Sequence, residues 1–151
     1  MTVLHIAGDE TLIRLDSGAV LTLAVGSRRT AAAFFRHEPP TEAEMENAIM
    51  AVEDELMRVR SLIPEGTSLE TTDAAVRGIA LLGGAAAAGT IVFSVEAVER
   101  LFDRLAAVML GRPASVDGIP ASREFAATLL ILREFMHHLK FAEVTVRPAA
   151  G

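Results

Sequence analysis

Four side chains near the ends of two predicted strands could hold a divalent metal ion: His5, Asp9, Glu10 and Asp73. Imidazole nitrogens and carboxylate oxygens are common ligands of such cations. The alternative needs no metal, because Asp9 and Glu10 suit a solvated hairpin turn, Asp73 suits a helix N-cap, and His5 can be an ordinary strand residue. We favour this alternative. If a metal site exists, its expected ligands are His5, Asp9 and Asp73.

Two further pairs of polar residues have structural explanations. His137 and His138 lie near the predicted end of the last helix, where a cationic imidazole suits the helix dipole. We prefer this explanation to metal ligation or general-base chemistry. Arg28 and Arg29 could bind an anion together. However, we place them on a strand, where neighbouring side chains point to opposite faces, so they cannot act as a pair on one face.

The composition predicts one domain with an aliphatic core. The 151 residues fit a single domain, residues 1–151. Hydrophobic residues make up 51% of the chain and aromatic residues only 5%, so the core must be built from aliphatic side chains. The mean hydropathy of +0.38 also predicts an exposed apolar face that a partner covers.

Charge and cysteine content exclude several classes of function. The formal net charge of −6 provides no basic surface for nucleic acid or for an anionic membrane. The chain has no cysteine, which excludes disulfides and thiolate metal sites and fits the cytoplasm. The first residues lack the features of a signal peptide. The uncharged stretch 78–94 is shorter than the roughly 20 residues that span a bilayer, so we interpret it as a helix end and a buried loop.

The first third of the chain predicts an antiparallel meander. Three β-type runs lie at residues 3–6, 12–15 and 20–25, separated by turn-forming residues at 8–9 and 16–18. We expect the third strand to continue past Gly26 to Phe35, with the glycine at a bulge or bend.

Helices follow the meander. Thr41 and Glu44 have the spacing of a capping box, and apolar residues at intervals of three and four extend this helix to residue 63. The remaining predicted elements are a strand at 67–72, helices at 74–82, 94–109 and 121–139, and a strand at 141–146. This order, β-β-β-α-β-α-α-α-β, predicts an α/β fold with a mixed sheet.

Several segments carry a resemblance to a known family. Residues 5–11 align without a gap to a phosphate-binding loop of the type D-I-G-G-G-S-T, matching it at Ile6, Gly8 and Thr11. Residues 71–75 stand in place of a second loop, G-T-G-G-T. Further similarity lies at residues 25–29, 34–35, 39–44, 118–123 and 141–146. The chain thus resembles the second actin-like lobe of the exopolyphosphatase and guanosine pentaphosphate phosphatase family (Ppx/GppA).

The resemblance implies a single ribonuclease H-like lobe of the actin and Hsp70 superfamily whose phosphate loops are degenerate. Their positions are Gly8, Asp9, Glu10 and Thr11 in the first loop and Thr72 and Asp73 in the second. In the family, an aspartate of the first loop helps to hold a divalent cation, and His5 takes its place. Carboxylates at residues 9 and 10 should repel a polyanion.

The resulting expectation is a noncatalytic interaction or regulatory protein without a cofactor. Catalysis of phosphoryl transfer depends on positioning and charge stabilisation, which the altered loops no longer provide. Its partner would be a second copy or another protein that covers the apolar face. One alternative is a Mg²⁺-dependent phosphatase of polyphosphate or guanosine polyphosphates, completed by a partner lobe. Another is a domain that binds a small metabolite or a metal.

Overall fold

A computed structural model describes residues 1–149, and this part of the chain forms one mixed sheet with helices. Its strands are β1 (Thr2–Ile6), β2 (Thr11–Arg14), β3 (Val20–Leu23), β4 (Leu69–Thr71), β5 (Ile91–Ser94) and β6 (Glu143–Val146). Its helices are α1 (Ser27–Phe34), α2 (Glu42–Val59), α3 (Ala74–Leu82), α4 (Val95–Met109), α5 (Ala114–Asp117) and α6 (Arg123–His138). A 3-10 turn, Arg60–Leu62, extends α2.

The strand order is β3-β2-β1-β4-β6-β5, which confirms the predicted α/β fold. The predicted meander is also confirmed, because β1, β2 and β3 pair antiparallel in sequence. β4 lies parallel to β1, and β6 lies parallel to β4. β6 separates β4 from β5, with which it pairs antiparallel. The centre of the sheet is therefore parallel and its two edges are antiparallel.

The core lies between one face of the sheet and the helices. Along β1, Leu4 and Ile6 are buried whereas His5 between them is exposed, as expected for a strand with one covered face. α6 is buried on nearly all sides and packs against α1, α2, α3 and α4. A helix that other helices cover on nearly every side belongs inside the core. Within residues 1–149, no helix has the length and apolar character needed to cross a membrane.

The predicted continuation of the third strand is wrong. β3 ends at Leu23, Gly26 is the N-cap of α1, and residues 27–34 are helical. Arg28 and Arg29 therefore lie in the first turn of a helix, and the argument that they point to opposite faces of a strand does not hold. Alanines at 31–33 favour a helix over a strand. The contacts that fix its first turn come from residues 7 and 8, far away in sequence.

The uncharged stretch 78–94 also differs from the prediction. α3 ends at Leu82, and most of the loop 83–90 is exposed rather than buried. Residues 91–94 form β5, which sequence reasoning missed because a four-residue run is too short for its alternating pattern to stand out. Ser94 does cap α4, as predicted, since its hydroxyl accepts the N–H of Ala97 at 3.1 Å.

The capping box that starts α2 is confirmed, and it gives a prediction about pH. The Glu44 carboxylate accepts the N–H groups of Thr41 and Arg36, each at 3.0 Å, and contacts His37. These interactions, with the Thr41 hydrogen bond the largest, lower the pKa of Glu44 to about 2. A folded-state pKa below the unfolded value gives stability that is present at neutral pH and is lost as the pH falls from about 4.5 towards 2.

Glu44→Gln is therefore expected to lower Tm at pH 7. The difference in Tm between the variant and the wild type should become steadily smaller below pH 4.5. Thermal unfolding followed by circular dichroism between pH 7 and pH 3 measures this gap. Glu46→Gln is the matched control, because Glu46 is exposed on the same helix and takes no part in the cap. A Glu44→Gln gap that stays constant across this range would contradict the prediction.

Candidate functional site

The predicted site residues lie where two parallel strands end side by side. β1 and β4 are neighbours and run in the same direction, so their carboxyl ends meet at one edge of the sheet. Ligand sites of open α/β sheets form at such carboxyl ends. The loop 7–10 follows β1, and Thr72 and Asp73 follow β4. The two segments that resemble phosphate loops are thus brought to the same edge.

His5 and Asp73 are in direct contact at this edge. The imidazole Nδ1 of His5 forms a hydrogen-bonded pair with one carboxylate oxygen of Asp73. The Asp73 side chain is only 6% exposed, whereas that of His5 is 56% exposed. A buried carboxylate therefore orients an imidazole that is open to solvent.

Asp73 stands at the predicted N-cap position of α3, but its side chain makes other contacts. Its carboxylate forms no capping bond to the helix. The second carboxylate oxygen instead accepts the N–H of Ile6 at 2.7 Å, and the backbone N–H of Asp73 donates to the Thr71 hydroxyl at 3.1 Å. Asp73 therefore ties the end of β1 to the start of α3.

The loop that follows β1 closes over the start of α1. The carbonyl of Ala7 accepts the N–H of Ser27 at 3.0 Å. The carbonyl of Gly8 accepts the N–H groups of Arg28 and Arg29, each at 2.9 Å. The free N–H groups of a first helical turn are the usual donors to a bound phosphate. Here the loop carbonyls already occupy them.

Gly26 allows this close approach. Its φ of −167° is extended backbone that any residue adopts. The restriction is steric, since a Cβ here would lie 2.6 Å from the Gly8 carbonyl oxygen. The sequence pointed to this glycine but assigned it to a bulge or bend in a continuing strand.

The charged side chains of the loop form an ion pair instead of a vacant anion site. Arg28 donates to the Asp9 carboxylate at 2.7 Å, and both side chains are largely exposed. The hydrogen bond and negative charge of Asp9 raise the pKa of Arg28, with a smaller contribution from the charge of Glu124. Glu10, beside Asp9, is also exposed. Arg28 is thus already paired, and Arg29 donates to the Asp9 carbonyl at 3.5 Å.

The two threonines of the candidate loops differ in environment. Thr11 is fully buried, and its hydroxyl donates to the Val25 carbonyl at 2.9 Å. Its side chain therefore fastens β2 to the segment before α1. Thr72 is exposed between β4 and α3.

The structure brings together two of the three predicted metal ligands. His5 and Asp73 are in contact, whereas the Asp9 carboxylate pairs with Arg28. Mg²⁺ prefers oxygen ligands in near-octahedral geometry. The residues present do not fit that preference, because His5 offers nitrogen and both oxygens of Asp73 already have partners.

An apolar groove beside the loop was not foreseen from the sequence. It has a volume of about 390 Å³, and its lining includes Ser27 of α1, Gly78 of α3 and Phe125 of α6. The lining residues come from three segments that are distant in the chain. No local motif could have revealed the groove.

Comparisons with known proteins agree with this geometry. No family model and no curated protein matches the sequence. Among solved structures, the Ppx/GppA enzyme of Aquifex aeolicus superposes with a TM-score of 0.78 at 16% identity, over 97% of this chain and 52% of that one. An exopolyphosphatase from Cytophaga hutchinsonii gives a TM-score of 0.72 at 13% identity, over 97% and 52% of the two chains. An exopolyphosphatase-like protein gives 0.74 at 12% identity, over 97% and 54%.

The chain spans about half the length of each of these proteins. Its six-stranded mixed sheet and helices match that half throughout. This chain therefore shares the actin-like fold of one lobe of the Ppx/GppA phosphatases.

Proposed function

We propose that this domain is a noncatalytic interaction or regulatory domain, built on a degenerate Ppx/GppA-like lobe. The observation that carries the proposal is the closed loop after β1. The carbonyl oxygens of Ala7 and Gly8 accept hydrogen bonds from the first three N–H groups of α1. These N–H groups would otherwise be free to donate to a phosphate. Carbonyl oxygens carry partial negative charge. The loop therefore complements the positive N-terminal end of α1 and does not favour an anion there.

The charges around the loop support the same conclusion. Asp9 and Glu10 place two carboxylates where a polyphosphate would lie, and like charges in a binding site cost on the order of several kcal/mol. Arg28, which could offset them, is engaged by Asp9. Phosphoryl transfer needs positive charge around the transferred group, and the loop supplies the opposite.

A phosphate assay tests this proposal directly. We expect no heat on titration with linear polyphosphate or guanosine pentaphosphate in the presence of Mg²⁺, and no phosphate release with Mg²⁺ or Mn²⁺. A two-lobed Ppx/GppA phosphatase run in parallel shows that both assays work. Metal-dependent turnover by the purified domain would overturn the noncatalytic assignment.

The second candidate is a phosphatase completed by a partner lobe, and the pair of His5 and Asp73 favours it. A buried carboxylate that orients an exposed imidazole is the arrangement used by many general bases. This candidate requires metal-dependent phosphate release that disappears in both His5→Ala and Asp73→Ala. His137→Ala is the matched control, because this exposed histidine lies in the last turn of α6. Its activity should equal that of the wild type.

The interaction role requires a surface for a partner. The solved proteins contain nearly as many residues again beyond the matched part, so in them a further half accompanies this fold. In this chain, Met50 and Met57 of α2 are 63% and 60% exposed. Their spacing of seven residues places them on one face of the helix. We propose that another protein surface, on a second copy or another polypeptide, covers this face.

Size-exclusion chromatography with light scattering tests whether a second copy of the chain covers this face. The expected result is a dimer whose fraction grows with concentration and falls in a variant with glutamate in place of both Met50 and Met57. A monomer across a wide concentration range would exclude self-association through this face. The noncatalytic assignment would be unaffected, because it depends on the phosphate assay.

A further inference from the structure

A second group of metal-ligand side chains lies away from the loop after β1. Glu53 belongs to α2, whereas Glu134 and His138 lie one turn apart on α6. One ligand atom of each residue lies within 4.8 Å of the other two. We call these three residues the α2–α6 cluster. Sequence reasoning assigned His138 to the helix dipole and did not connect it with either glutamate.

The distances from His138 to the two glutamates are close to those around a tetrahedral metal ion. His138 Nε2 lies 2.8 Å from Glu134 Oε2 and 3.6 Å from Glu53 Oε2. Zinc binds histidine nitrogen and carboxylate oxygen at about 2.0–2.2 Å, which places tetrahedral ligand atoms about 3.3 Å apart. The two observed distances lie on either side of that value. A metal therefore needs only small side-chain movements, and Glu53 is 39% exposed and able to make them.

Neighbouring residues hold the buried ligand in place. Glu134 is only 5% exposed, and its Oε1 accepts a hydrogen bond from Arg133 at 3.0 Å. Arg133 is itself fixed by Glu99 at 3.0 Å and lies over the ring of Phe102. Glu134 Oε2 therefore remains directed at His138. Outer contacts that orient a ligand in this way are typical of metal sites.

The cluster also leaves room for a further ligand. His138 is 29% exposed, and a cavity of about 270 Å³ lies beside it. Arg60, Glu65 and Lys140 are among the residues lining that cavity, which touches the cluster at His138, so a water molecule in it could reach a bound ion from that side. A site with three protein ligands and one open position is the usual form of a zinc site that keeps an exchangeable ligand.

We propose that the α2–α6 cluster binds a divalent transition-metal cation, with zinc as the best fit to one imidazole and two carboxylates. The nitrogen ligand argues against Ca²⁺ and Mg²⁺, which prefer oxygen. The bound ion would join α2 to α6 and so stabilise the core helix against its neighbour. The cluster is separate from the loop after β1, so this proposal and the noncatalytic assignment can fail independently.

Isothermal titration of the tag-free domain with ZnCl₂ tests the proposal. We expect one site per chain, and a Tm that rises by about 5 °C or more when free zinc exceeds its Kd 100-fold. Co²⁺ should bind in the same place and give a visible absorption spectrum typical of tetrahedral coordination. Absence of zinc binding at micromolar concentrations would overturn the proposal.

Single substitutions locate the site. Glu53→Gln and His138→Ala should each weaken zinc binding by at least about tenfold. Both residues are partly exposed, so the apo variants should fold, and circular dichroism checks this. His137→Ala is the matched control, because His137 is the exposed neighbour of His138 and lies outside the cluster. Wild-type affinity in both cluster variants, or an equal loss in His137→Ala, would show that zinc binds elsewhere.

Discussion

Gly26→Ala is expected to lower the free energy of unfolding by about 3 kcal/mol, because an added methyl group meets backbone on three sides. A Cβ at this position would lie 2.6 Å from the Gly8 oxygen, 2.7 Å from the Ala7 oxygen and 2.8 Å from the Glu10 nitrogen. A change of side-chain rotamer cannot relieve contacts with backbone atoms. The loop after β1 and the start of α1 must therefore move apart, which breaks the hydrogen bonds between them.

Urea denaturation at neutral pH measures this loss. Gly78→Ala is the matched control, because Gly78 lies inside α3 and no atom stands within 4 Å of its added Cβ. Alanine is more favourable than glycine inside a helix, so the free energy of unfolding of this variant should rise by about 0.5–1 kcal/mol. A Gly26→Ala variant as stable as the wild type would mean that the hydrogen bonds between the loop and the first turn of α1 contribute little to stability.

Phe135→Ala is expected to cost about 3–5 kcal/mol, which corresponds to a Tm lower by about 10 °C or more. Phe135 is fully buried in the last turn of α6, and its ring stacks on that of Phe141 with centroids 5.7 Å apart. Because α6 contacts four other helices and β1, a cavity at this position loosens several packing surfaces together.

Chemical and thermal denaturation both measure this effect, with Phe125→Ala as the matched control. Phe125 lies on the same helix but is only partly buried at the edge of the core, so its replacement should cost clearly less. Equal losses in the two variants would show that the deeper burial of Phe135 does not determine the cost. A change in the dependence on urea concentration, without a change in midpoint, would point to the unfolded state instead.

Features encoded by neighbouring residues could be predicted from the sequence. The meander follows from turn-forming residues between short apolar runs, and the start of α2 follows from the capping box of Thr41 and Glu44. The capping partners are three positions apart, and the paired strands of the meander follow one another in the chain.

Features decided by distant contacts could not be predicted. The sequence predicts a strand where α1 lies, because the carbonyls that accept the N–H groups of its first turn belong to the distant residues Ala7 and Gly8. β5 is short and becomes recognisable only through its pairing with β6. In α1 the alanines favour a helix but do not fix where it begins, and β5 is too short for its own residues to decide.

The candidate site shows the same division. Convergence of His5 and Asp73 could be anticipated as a possibility, since both residues lie at strand ends and β1 and β4 are parallel neighbours. The pairing of Asp9 with Arg28 could not be anticipated, because it requires that α1 begin beside the loop. The α2–α6 cluster likewise depends on how two helices pack.

The position of β6 between β4 and β5 has a consequence for synthesis of the chain. β5 is made before β6, yet β6 is its neighbour in the sheet. During translation, Ile91 and Phe93 therefore leave the ribosome with no strand to pair with in the described sheet until residues 143–146 follow. Joining segments so far apart in sequence slows folding. The nascent domain thus carries an unpaired strand while residues 95–142 are made, and this strand finds its neighbour only when β6 follows.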